Sequence, residues 1–101
     1  MNESKLSRDV VLGELKNCLS MFRRLYGVTR IGIFGSAARD EIGENSDIDI
    51  VVEMKEPDLF FLVHIKDALE EVFGRRVDII RYRDTMNRYL KARIDREARY
   101  A

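Results

Sequence analysis

Residues 35–52 read GSAARDEIGENSDIDIVV, and they join two different kinds of chain. Before them Val28–Phe34 is a short β-rich run that ends directly on Gly35-Ser36. At their far end Asp47-Ile48-Asp49-Ile50-Val51-Val52 alternates with period two and reads as a second strand. In between, Gly35-Ser36-Ala37-Ala38-Arg39 reads as a turn followed by a short helix, and residues 41–46, with Gly43 and Asn45, as a loop. Successive side chains on a strand point to opposite faces, so Asp47 and Asp49 project together while Ile48, Ile50 and Val52 turn toward a core.

Upstream, Val11, Leu15, Cys18, Phe22 and Leu25 recur at helical spacing, with Leu12, Leu19 and Tyr26 beside them and Gly27 as a stop. This predicts a long amphipathic helix over residues 6–26. Downstream, Pro57 and Asp58 suit a helix start, and Phe61, Leu62, Ile65, Ala68, Leu69, Val72 and Phe73 form a stripe closed by Gly74. Residues 76–81 read as a third strand. Asp84 suits the cap of a last helix whose Met86, Leu90 and Ile94 are spaced by four and run into Ala98 and Tyr100. The order predicts an α/β (α+β) fold, a small three-stranded mixed sheet flanked by about four helices, in a single domain over residues 1–101.

At 101 residues the chain has room for one core and none for a separate substrate domain. Hydrophobic residues make up 46% and charged residues 36%, which excludes a disordered or fibrous class. No run approaches the roughly 18 apolar residues of a membrane span, and MNESKLSRDV lacks the apolar core of a secretory signal, so a cytoplasmic protein with no membrane contact is expected. One cysteine, Cys18, and one histidine exclude an internal disulfide or a structural zinc site, so any metal must sit on oxygen. Lys and Arg total 18, as do Asp and Glu, yet residues 40–58 carry eight acids against Lys55 alone, and residues 81–101 seven bases against three acids. The middle suits cations and the tail suits anions.

Two carboxylates in one small, partly dry site resist joint ionisation, so either one is protonated or a cation lies between them. Asp78 repeats the anomaly on the third strand, interrupting Val77, Ile79 and Ile80 where an unpaired carboxylate is costly to bury. Three such groups invite Mg²⁺, which chooses oxygen and usually combines a couple of carboxylates with the phosphates of a nucleotide. Gly35-Ser36 offers a place for those phosphates. Gly35 admits close approach, backbone N–H groups can meet anionic oxygen, the Ser36 hydroxyl can donate, and Arg39 presents a forked cation. Each piece alone has an ordinary reading: a common turn, a solvated edge strand or helix cap, and an ion pair of Asp78 with Arg76 or Arg81. The combination is far more specific.

Gly35-Ser36, then ten residues, then Asp47-x-Asp49, with Asp78 later in RRVDII, resembles the minimal nucleotidyltransferases of the DNA polymerase β-like superfamily. The chain is most similar to the antitoxin members of HEPN/MNT toxin–antitoxin pairs. The resemblance implies the nucleotidyltransferase fold and transfer of AMP from ATP to a tyrosine of a HEPN-domain ribonuclease toxin, with which the protein would form a hetero-oligomer. It implies a two-metal mechanism in which Asp47 and Asp49 bind both Mg²⁺ ions and Asp78 binds the one on the nucleophile side. It also implies nucleotide contacts from Gly35, Ser36, Arg39 and Ser46. Asp40 departs from the glycine that many members carry after this arginine; it either caps or faces solvent.

Other residues read as structure. His64 suits a helix surface or a half-buried position, Cys18 a small core position, and Tyr26, Tyr82, Tyr89 and Tyr100 packing. The basic last helix, with Arg88, Lys91, Arg93, Arg96 and Arg99, fits an acidic or mixed protein surface better than nucleic acid, since the chain is neutral overall and shows no nucleic-acid-binding motif. Two competing functions stand beside adenylyl transfer: an antitoxin that neutralises by binding alone, and a small-molecule (antibiotic) nucleotidyltransferase, for which the chain has no drug-recognising domain.

Overall fold

Ser7 stands in extended backbone and accepts from the Val10 N–H at 3.2 Å, while Gly27, left-handed at φ 70°, closes the far end of α1 (Arg8–Tyr26). The computed structural model describes residues 6–101, so the first residues of the MNESKLSRDV stretch lie outside the described part. After α1 come β1 (Val28–Phe34), β2 (Ile48–Met54), α2 (Leu59–Phe73), β3 (Val77–Arg81), α3 (Arg88–Glu97) and β4 (Arg99–Tyr100). Asp58 caps α2 by accepting from the N–H groups of Phe60 and Phe61, and Gly74 closes it at φ 67°.

The four strands form one mixed sheet in the order β3-β2-β1-β4. β1 and β2 are antiparallel, β1 and β4 antiparallel, and β2 and β3 parallel, joined through α2. One face carries Ile31, Ile33, Ile48, Ile50 and Val52, all fully buried against Val11, Leu15 and Phe22 of α1 and Ile65 and Leu69 of α2. The other face packs Phe34 and Val51 against Met86 and Ile94. Burying an aliphatic side chain of this size stabilises by roughly 1.5–3 kcal/mol, so the first face dominates the core.

The expected class is found, with differences in detail. Residues 35–40 form hydrogen-bonded turns, with Arg39 N–H to the Gly35 carbonyl at 3.2 Å and Asp40 N–H to that of Ala37 at 3.1 Å, and do not continue as a short helix. Asp40 there takes φ 62°, which ends any helical run. The last helix starts later than Asp84 suggests, because Asn87 is the side chain that accepts from its first N–H groups, those of Tyr89 and Leu90. It also ends earlier: Ala98 is extended, and Arg99–Tyr100 leave the helix to become a fourth strand on β1. The sheet is therefore four-stranded, with three helices among the described residues.

Candidate active site

Two registers decide where the polar residues meet. The antiparallel β1–β2 register sets Phe34 opposite Asp49, so Gly35, the next residue, lies at the Asp49 side chain. The parallel β2–β3 register sets Asp49 opposite Asp78. Gly35, Asp49 and Asp78 thus stand in a row at one end of three adjacent strands, with the two acids on the sheet face shared by Phe34, Val51 and α3. A Cβ on Gly35 would lie 2.5 Å from Asp49 Oδ2, and Gly35 has φ 68°. Both the contact and the backbone demand glycine.

Half-burial pushes the Asp49 carboxyl above its ordinary pKa, and the neighbouring Asp78 pushes it further the same way; Arg93 opposes them, Asp47 raises it again, and Arg39 opposes. Asp78 is therefore the stronger of the two acidic neighbours. Asp47 lies just before β2, is exposed, and meets Arg76 Nε at 3.3 Å. Arg76, one of the two arginines that the ordinary reading offers Asp78, turns to Asp47 instead. Asp78 is exposed, so its expected burial cost is not incurred.

The remaining residues divide. Arg39 meets Glu41 at 3.0 Å and Glu97 at 3.6 Å. Ser46 locks its own loop: its hydroxyl accepts from the Gly43 N–H at 3.1 Å, and Arg75 donates to the carbonyls of Gly43 and Ser46 at 2.7 and 3.3 Å. The Asp40 carboxylate accepts from the Arg8 N–H at 2.8 Å, which makes it a cap for the start of α1. Asparagine and aspartate are the non-glycine residues best suited to such left-handed backbone, which is how an acid occupies a glycine position. His64 is exposed beside the Tyr26 ring, and Cys18 packs half-buried at the core margin. Tyr89, by contrast, is 74% exposed rather than packed.

Two residues of the site escape sequence reading. Arg93 and Glu97 of α3 reach the glycine turn, where Gly35 N–H donates to Glu97 Oε1 at 3.2 Å and Arg93 Nε meets the same oxygen at 3.3 Å. Their only sequence signal is a spacing of four within a basic helix, which many solvent-facing pairs share. Among the described residues no three His, Cys, Asp or Glu side chains converge closely enough to cage an ion unaided. All the donors available at Asp47, Asp49 and Asp78 are carboxylate oxygens, a set suited to a hard divalent cation completed by phosphate oxygen.

The profile of the nucleotidyltransferase domain family matches residues 15–101. This chain belongs to that family. A Methanocaldococcus jannaschii protein named "Putative protein adenylyltransferase MJ0435" is 44% identical over 88 residues, spanning 86% of this chain and 94% of the relative. A solved structure described as a "putative minimal nucleotidyltransferase" superposes with a TM-score of 0.79 at 35% identity, over 96% of this chain and 98% of the other. A complex of a tri-AMPylated Shewanella oneidensis HEPN toxin with its MNT antitoxin includes a chain of the same fold, with a TM-score of 0.67 at 17% identity, covering 92% of this chain and 70% of that one. The chain is accordingly a nucleotidyltransferase enzyme with the minimal fold of the family.

Proposed function

We propose that the protein is an antitoxin-type adenylyltransferase that moves AMP from ATP to a tyrosine of a HEPN-domain toxin bound beside it. The observation that carries this reading is the pairing of Asp49 with Asp78 across β2–β3, directly against Gly35. The names of its relatives supply the substrate class: an adenylyltransferase at 44% identity, and an AMPylated HEPN toxin held by a protein of this fold. Asp47 and Asp78 are exposed at the strand ends, so the acceptor surface would be completed by the partner. The reaction is cytoplasmic in this reading, and among the described residues no helix is long and apolar enough to cross a membrane.

Asp49, Asp78 and Asp47 would hold Mg²⁺, which when bound neutralises phosphate charge and acidifies the attacking hydroxyl. Gly35 and Ser36 would face the triphosphate, where a side chain on residue 35 would block the approach. Arg39 would neutralise phosphate charge from the exposed side. In the transfer itself the tyrosine oxygen forms a bond to the α-phosphorus, the bond from that phosphorus to the bridging oxygen of the β-phosphate breaks, and pyrophosphate leaves. Asp78, exposed at the strand end, would accept the phenolic proton. Positioning and charge neutralisation carry the rate, with no covalent enzyme intermediate.

Incubating the protein with a HEPN-domain partner, MgCl₂ and ATP labelled at the α-phosphate tests this directly. Label should appear on the partner, whose mass should rise in whole AMP increments. D49N should lower the rate on the order of a thousandfold while the far-UV circular dichroism stays native. A stable complex whose partner never gains mass would identify an antitoxin that acts by binding alone.

A further inference from the structure

Three donors converge on a single oxygen at the glycine turn. The Gly35 N–H, Arg93 Nε and Arg39 Nη1 lie 3.2, 3.3 and 3.6 Å from Glu97 Oε1. Backbone N–H and two guanidinium groups around one anionic oxygen are the donor set that recognises phosphate. Here the oxygen belongs to the chain's own last helix.

Helix energetics do not explain why a carboxylate stands there. Glu97 is the final residue of α3, where the helix dipole disfavours negative charge. The Arg93–Glu97 pair also runs with the base N-terminal to the acid, the weaker orientation at this spacing. Arg93 is held by more than this pair. Its guanidinium carbon lies 5.6 Å from the centre of the Phe34 ring, and its Nη2 would be 3.2 Å from a Cβ on Gly35. Ile94, fully buried between the two, fixes the helix face that presents them. Arg93 thus stands at the glycine turn and beside Asp49, where a triphosphate would lie.

We propose, resting on the adenylyl-transfer reading, that Arg93 is a second arginine for the nucleotide phosphates and that Glu97 fills the anion position until a phosphate oxygen displaces it. A triphosphate brings several negative charges and more acceptor oxygens than one carboxylate, so it wins this exchange at the cost of dislodging Glu97. Nucleotide affinity is then set partly by an internal competitor, and Arg39 and Arg93 are held in place for the ligand while the site is empty of it.

Equilibrium binding of ATP with MgCl₂, and separately of inorganic triphosphate, measured without any acceptor, tests the proposal. E97Q removes the competing charge and should tighten both ligands about tenfold, whereas R93Q should weaken both by a similar factor. In the double variant R93Q/E97Q the gain from E97Q should shrink, since the two act on one oxygen. Thermal melts establish that each variant is folded. If wild type binds ATP and E97Q leaves its affinity unchanged or weaker, Glu97 is an ordinary helix-surface partner and the proposal falls; unchanged affinity in R93Q removes Arg93 from the site. Failure of wild type to bind ATP at all would overturn the adenylyl-transfer reading itself.

Discussion

Asp49 shows what the site costs a single residue. Its carboxyl is raised by half-burial and by Asp78, so the native state holds the proton more tightly than the unfolded chain does. For an acid shifted this way, folding is favoured at low pH, and that advantage is lost as pH rises from the ordinary aspartate value through the raised native one. At neutral pH the repulsion is fully in force. D49N should therefore raise the melting temperature at pH 7 by about 3 °C, on the order of 0.5 kcal/mol after screening by water, and the gain should vanish below pH 3.8, the ordinary value. Melting curves of both proteins across pH 3–8 check this. Asp49 and Gly35 were legible because a charge in an apolar alternation and a glycine at a strand end are local signals. Glu97 and Arg93 were not, since their meaning depends on a register 62 residues away in sequence for the Gly35–Glu97 contact.

Among the elements, α1 depends on a residue outside it. The Asp40 carboxylate accepts from the Arg8 N–H at 2.8 Å while its own backbone sits at φ 62°. D40A loses the cap and keeps the strain, so it should lower stability by about 1.5 kcal/mol; D40G loses the cap but relieves the strain, and should cost roughly half as much. Urea unfolding of the two variants separates these terms. The helix stripes were readable because 3.6-residue periodicity survives over many turns: Val11, Leu15 and Phe22, then Ile65, Leu69 and Phe73, are the buried set. The edges of the stripes misled, since Leu25 and Val72 are about half exposed. The cap of α3 falls on Asn87 rather than Asp84 because the intervening residues turn, with Met86 N–H on the Arg83 carbonyl at 3.3 Å.

Across the whole molecule, the unforeseen piece is β4, two residues long and too short to carry any periodic pattern. It covers the free edge of β1, with Ala101 N–H on the Ile31 carbonyl at 2.9 Å and the Arg30 guanidinium 3.8 Å above the Tyr100 ring. Removing residues 99–101 should cost about 2 kcal/mol through the lost aromatic burial and leave β1 as an open edge. Denaturation midpoints and size-exclusion chromatography check both parts: a lower midpoint, and more self-association than the full chain at the same concentration.

The same pairing sets Gly32 opposite Tyr100, where any Cβ on residue 32 would collide with the Arg99 backbone and stand 2.8 Å from the Tyr100 ring. Bulk on this patch is thus lent by the outer ribbon to the inner one. Because the nearest obstacle is the Arg99 carbonyl and not a side chain, shrinking residue 100 opens no room, and descendants that keep the outer ribbon must keep glycine at 32.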